Sequence, residues 1–162
     1  MTTTEQQKRR RTPVRPLSSF YQTVLEIRTN PKNAHWSRPI NWPRKNIRGA
    51  MAENMCFSDA NLRGSDLSGS WMSGADFSNA NLSRSILHGT ELWGANFSGT
   101  NLLRADISGA IFSDQFEGAA VGLTQAQIDS TLADPDDPPI LDGVLDAETG
   151  QPIVWRGGVR RE

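Results

Sequence analysis

From Phe57 to Phe112 a bulky apolar residue recurs at every fifth position, a period that neither an α-helix nor a β-strand can present to a core as one face. The register runs through Phe57, Leu62, Leu67, Met72, Phe77, Leu82, Leu87, Leu92, Phe97, Leu102, Ile107 and Phe112, twelve centres without an insertion. Two residues before every centre after the first stands Ala, Ser or Thr, so a second position in each unit is crowded as well. Asp or Asn commonly precedes the centre, Ser commonly follows it, and Gly recurs next at 64, 69, 74, 89, 94, 99 and 109. Gly and Asn at a fixed offset supply repeated turns, because they accept backbone conformations that cost other residues. Short units separated by turns point to a solenoid, whose stacked coils bury a core that no single unit could enclose.

The units Ala60-Asn61-Leu62-Arg63-Gly64, Ala75-Asp76-Phe77-Ser78-Asn79 and Ala95-Asn96-Phe97-Ser98-Gly99 follow the pattern A-(D/N)-L-x-x. By them the chain resembles the pentapeptide-repeat family over about residues 46–114. The resemblance implies an all-β solenoid, a right-handed quadrilateral β-helix of about three coils, with four units per coil and with the centre and the small residue two before it turned inward. On that expectation Phe57, Phe77 and Phe97 stack on a first wall, Leu62, Leu82 and Leu102 on a second, Leu67, Leu87 and Ile107 on a third, and Met72, Leu92 and Phe112 on a fourth. At ~4.8 Å per coil the solenoid is only about 15–17 Å tall, and both open ends need covers.

Four segments follow. Residues 1–16 read as a disordered basic arm carrying Lys8, Arg9, Arg10, Arg11 and Arg15. Residues 17–45 hold an N-terminal amphipathic helix, with Leu17, Phe20, Tyr21, Val24 and Ile27 at helical spacing, and a Pro/Trp connector anchored by Trp36 and Trp42. The β-helix occupies 46–117. Residues 118–162 form a C-terminal extension: a short helix capped by Thr124 with Gln127 at the capping-box offset, an acidic proline-rich linker, and a hairpin between Val144-Leu145 and Ile153-Val154-Trp155. The stretch Gly122 to Asp129 resembles the LTQAQLD-type segment that follows the repeats in many bacterial members.

Charge is unevenly placed. Residues 1–48 hold eleven Lys/Arg against Glu5 and Glu26, a surplus of nine positive charges, whereas residues 49–162 hold six Arg against sixteen Asp/Glu, a surplus of ten negative ones. The arm suits weak contact with an anionic surface, be it nucleic acid, membrane or its own acidic chain. Cys56 is the only cysteine, which excludes an internal disulfide, and it reads as a small buried hydrophobe. With only His35 and His88 beside it, a zinc site is not expected, and Asp134, Asp136 and Asp137 lack the Gly and terminal Glu of a calcium loop. No cofactor, small-molecule substrate or catalytic constellation is expected, and no run of residues reaches membrane-span length. The expectation is a bacterial, cytoplasmic protein without enzymatic activity, peripheral to a membrane complex in one version of that reading.

In a repeat solenoid the inward positions are structural, so binding is sought where outward positions depart from the rule. On the fourth wall Met51, Trp71, Glu91 and Ile111 replace Asp or Asn, and Trp93 follows nearby. This wall is either covered by the chain's own terminal segments or is a protein-binding surface. Arg63, Arg84 and Arg104 form a candidate anion-binding stripe, Arg84 and Arg104 being one coil apart. The function expected is that of a non-enzymatic interaction or scaffold module, an accessory subunit of a larger protein complex. The alternative is a DNA-mimic modulator of DNA gyrase or topoisomerase, a role that some members of the family fill.

Overall fold

The computed structural model of the chain describes residues 39–116 and 118–158. Parallel bridges join residues twenty apart in four columns: Cys56–Asp76–Asn96, Asn41–Asn61–Asn81–Asn101, Asn46–Asp66–Ile86–Asp106, and Met51–Trp71–Glu91–Ile111. Four columns per twenty residues make a four-sided solenoid, one five-residue unit to each wall. Within a unit the bridge residue donates its N–H to the coil below and the centre donates to the coil above, as Asn61 does to Ile40 at 2.7 Å and Leu62 to Asn81 at 2.9 Å. Each wall therefore has only two paired residues before a turn bends the chain away, which is why the stack is built of isolated bridges and not of long strands. The turns need a left-handed residue, supplied by glycines such as Gly69 and Gly89 with φ of 62° and 60°.

All twelve centres are at most 2% exposed. Phe57 and Phe77 stack with centroids 5.1 Å apart and planes 7° apart, Phe77 and Phe97 at 5.4 Å and 21°, and Phe112 closes the column against Phe97 at 5.6 Å. Each such ring removed from water contributes about 1.5–3 kcal/mol, plus an aromatic increment where rings stack offset. The small inward position admits hydroxyls because each finds a carbonyl inside the stack. Ser70 donates to Ile47 at 3.1 Å, Thr90 to Leu67 at 3.0 Å and Thr100 to Phe77 at 2.7 Å.

The ladder reaches beyond the regular repeats on both sides. It begins at Asn41, inside the stretch read from the sequence as connector, where Trp42 takes a centre position and packs against the core. At the upper end β1 (Ser113–Asp114) and β2 (Gly118–Ala119) form a two-stranded antiparallel excursion, after which Val121 pairs with Asn96 across 25 residues and restores the first wall. The helix α1 (Gln125–Asp129) then lies over the second wall, where Gln127 donates to the carbonyls of Phe97 and Thr100 at 3.1 and 2.8 Å. Its capping box is complete, with Thr124 and Gln127 each accepting from the other's backbone N–H. Leu132 and Ile140 continue the third and fourth walls above Asp106 and Ile111.

The acidic segment read as a linker is thus tied to the stack: Gly109 donates to the Asp137 carbonyl at 2.8 Å, and the Asp134 N–H donates to Ser108 Oγ at 2.9 Å. Its carbonyls are needed to satisfy the coil beneath, a demand that composition does not reveal. The final turn pairs Leu145 with Pro152 and buries Val144 and Ile153 over α1. Asp146 anchors it, accepting from Gln125 at 2.5 Å, from Thr149 at 2.7 Å and from Glu148 at 3.0 Å. These N–H donors, Gln125 first, lower its carboxyl pKa to about 2. The basic arm, the amphipathic helix expected over 17–29 and Trp36 lie outside the described residues.

Candidate functional site

Outside the fourth wall, the Asp or Asn before each centre has a local task. Its Oδ1 accepts from the N–H two residues on, as Asp66 does from Ser68 at 3.0 Å, Asp76 from Ser78 at 3.0 Å, Asn81 from Ser83 at 3.1 Å and Asp106 from Ser108 at 3.1 Å. This closes the corner turn. Met51, Trp71 and Ile111 carry no such acceptor, so the fourth wall gives up that bond at three of the four levels from Met51 to Ile111. What it presents instead is apolar. Met51 is 43% exposed, Trp71 48% and Ile140 45%, one above another on a single column with Glu91 and Ile111 half-buried between them.

Trp93 is half-buried at the neighbouring corner, its carbonyl accepting from Gly74 at 2.9 Å. The column thus gathers Met51, Trp71, Glu91 and Ile111, with Trp93 on the adjoining turn. Ile140 was not found from the sequence. It stands 29 residues after Ile111, beyond the repeat and behind an acidic run, and no period points to it. The C-terminal hairpin does not cover this wall, since its buried residues Val144 and Ile153 close the upper end instead.

Arg63, Arg84 and Arg104 are all exposed, at the corner that follows the second wall. Arg44, forty residues before Arg84, belongs to the same column and was missed, although the interval of twenty points to it. Among the described residues none of these four guanidinium groups has a carboxylate within 4.0 Å; the ion pairs present join Arg48 to Asp66, His88 to Asp137 and Arg156 to Asp129. Lys8, Arg9, Arg10, Arg11 and Arg15 lie outside the described residues.

Cys56 differs from expectation. It occupies the outward column, half-buried, because the position before a centre faces away from the core, and its Sγ lies 3.1 Å from Ser58 Oγ. Among the described residues no group of His, Cys, Asp and Glu is arranged to hold a metal ion, and no helix is long and apolar enough to cross a membrane. A shallow pocket of about 290 Å³ lies at the upper end between Ile128, Asp129, Trp155 and Arg156.

A stack of five-residue units with one apolar wall and one basic corner defines a four-sided repeat solenoid. Residues 46–79 and 75–114 match the family model for pentapeptide repeats, in eight copies, so this part of the chain is a pentapeptide-repeat segment. Proteins of this family form right-handed quadrilateral β-helices and are in general structural or interaction modules. Among solved structures, a pentapeptide repeat protein (Rfr23) from the cyanobacterium Cyanothece 51142 is 25% identical, with 69% of this chain and 71% of that one covered at a TM-score of 0.52. HetL from Nostoc sp. strain PCC 7120, a pentapeptide repeat protein involved in heterocyst differentiation regulation, is 20% identical. There 69% of this chain and 51% of HetL are covered, at a TM-score of 0.45. No curated protein sequence matches the chain.

Proposed function

We propose that the protein is a non-enzymatic interaction module, an accessory subunit that docks another protein on its fourth wall, in the cytoplasm. The observation that carries this reading is Trp71. Its indole is half exposed in a position where the fold elsewhere places a turn-closing Asp or Asn, with Met51 below it and Ile111 and Ile140 above. An aromatic anchor on a preformed platform loses little conformational freedom on binding, which is the setting in which Trp and Met become hot spots. The right-handed sense, the count of about three regular coils and the amphipathic helix over 17–29 belong to the same proposal, resting on the family and on the sequence pattern. Along the columns no observation favours the DNA-mimic alternative: Asp66 and Asp106 are separated by Ile86, and Asp76 lies between Cys56 and Asn96.

The test is Trp71→Asp. The new carboxylate stands two residues before the Ser73 N–H, the geometry in which Asp76 binds Ser78, so the variant is expected to fold at least as stably as the parent. Affinity capture from native extract with both proteins should retain a partner on the parent and lose it from the folded variant. A partner held equally by both, or no partner on either, removes the fourth wall as the docking surface.

A further inference from the structure

We propose that the corner following the second wall is a binding line for an extended acidic protein segment, held by Arg44, Arg84 and Arg104 with Arg63 beside them. Six described residues other than glycine have positive φ. Asn54, Asp59 and Asn79 are of the types that tolerate the left-handed region; the other three are Arg44, Arg84 and Arg104, at 56°, 58° and 57°. All three arginines fall on one column, whose fourth member is Gly64 at 68°. Most other corners solve the same turn with glycine. Here the fold keeps a long cation in a conformation that disfavours it, three times on one line.

A second cost runs in the same direction. Arg84 and Arg104 are one coil apart, ~4.8 Å in rise, and like charges stacked across neighbouring strands repel. No carboxylate of the described residues lies within 4.0 Å of either to relieve them. Backbone strain and charge repulsion are thus concentrated on one line, as they are at surfaces shaped for a ligand of opposite charge. The Arg44 stem lies against Gly64, the next level of the column: a Cβ there would meet Arg44 Cγ at 3.4 Å, an ordinary contact.

The wall beside the line is rich in free donors. The Oδ1 atoms of Asn81 and Asn101 accept from the N–H groups of Ser83 and Leu103, whereas their Nδ2 groups make no hydrogen bond to described residues. Guanidinium forks and amide N–H groups side by side suit carboxylates, which accept two parallel bonds from an Arg. The line spans three coils, about 14 Å, the length of roughly four residues of extended chain. It is narrow, with Asp106 and the ion-paired Asp66 along its third-wall side, on a body whose residues 49–162 carry ten surplus negative charges. That border repels a long polyanion such as a nucleic acid duplex, or an extended anionic membrane surface, and leaves room for a short acidic strand.

Fluorescence anisotropy with labelled octaglutamate, titrated with the full chain at low salt, tests the proposal. Arg84→Gly with Arg104→Gly removes both charges and the strain together, so the variant is expected to melt no lower than the parent while binding octaglutamate about tenfold more weakly or worse. Arg156→Gln with Arg160→Gln removes the same charge from the C-terminal end of the sequence, leaves the basic arm in place, and should change affinity by less than about threefold. Should the glycine pair not fold, Arg84→Gln with Arg104→Gln gives the same readout. Equal losses in the column and control variants, or no saturable binding by the parent, would overturn the proposal. So would tighter binding of oligothymidylate or of phosphatidylglycerol vesicles than of octaglutamate, if it too falls in the column variant.

Discussion

Trp71 and Arg84 occupy different positions of the repeat, and each departs from what that position asks for. Trp71 stands where an acceptor would close the turn, and Arg84 where glycine would relax it. Both departures were legible in the sequence, because a strict period turns any deviant residue into a signal. Their surroundings were not: the absence, among the described residues, of a carboxylate within 4.0 Å of Arg84 and the exposure of Trp71 depend on side-chain placement that a one-dimensional pattern does not carry. Asp146 was invisible for the same reason, since its importance lies in four donors drawn from Gln125, Glu148 and Thr149. Its pKa is lowered from 3.8 to about 2 in the folded chain, so its stabilising effect is complete above about pH 4 and is lost as pH falls toward 2. Urea melts of the parent and Asp146→Asn should therefore differ at neutral pH, with the gap closing between about pH 4 and 2. A gap independent of pH would show that the charge is not what anchors the hairpin.

Among the elements, the corners do more to define the fold than the walls do. A wall is two paired residues, whereas a corner must bend the chain by a quarter turn without a clash above or below. Gly89 and Gly122 separate these demands. A Cβ at Gly89 would meet nothing within 4 Å, so Gly89→Ala carries only the cost of φ +60°, about 1 kcal/mol. At Gly122, with φ +73°, a Cβ would lie 2.6 Å from Ser98 N and 2.9 Å from Ser98 Cα, and Gly122→Ala should cost about 3 kcal/mol or more because the backbone of the coil below must move. Denaturation midpoints of the two variants check this, and equal values would show that the upper coil is not clamped at Ser98. The capped helix α1 was readable, since a capping box is a local code. The placement of 134–140 was not, because Pro and Asp advertise a loose loop while the carbonyls of that segment serve a coil more than twenty residues earlier.

Taken as one body, the molecule is a column of aromatic and aliphatic side chains with a wall on each of four sides. Its cohesion rests on vertical neighbours, and Phe77, between Phe57 and Phe97, is the middle ring of the stack. Phe77→Ala should cost about 3–5 kcal/mol in a chemical melt, because the rings above and below cannot both close on the gap. A near-neutral result would mean that the coils do not share a continuous core. The interval of twenty also limits how such a protein can grow. Adding one unit of five residues would rotate everything after it by a quarter turn, carrying Trp71 and Met51 onto different walls and splitting the arginine line. Only whole coils keep every wall aligned, unless the surplus is thrown outward, as β1 and β2 do when Val121 returns to the column of Asn96 after 25 residues. The length of the chain is therefore quantised, and gene changes that ignore the quantum scramble its surfaces before they touch its core.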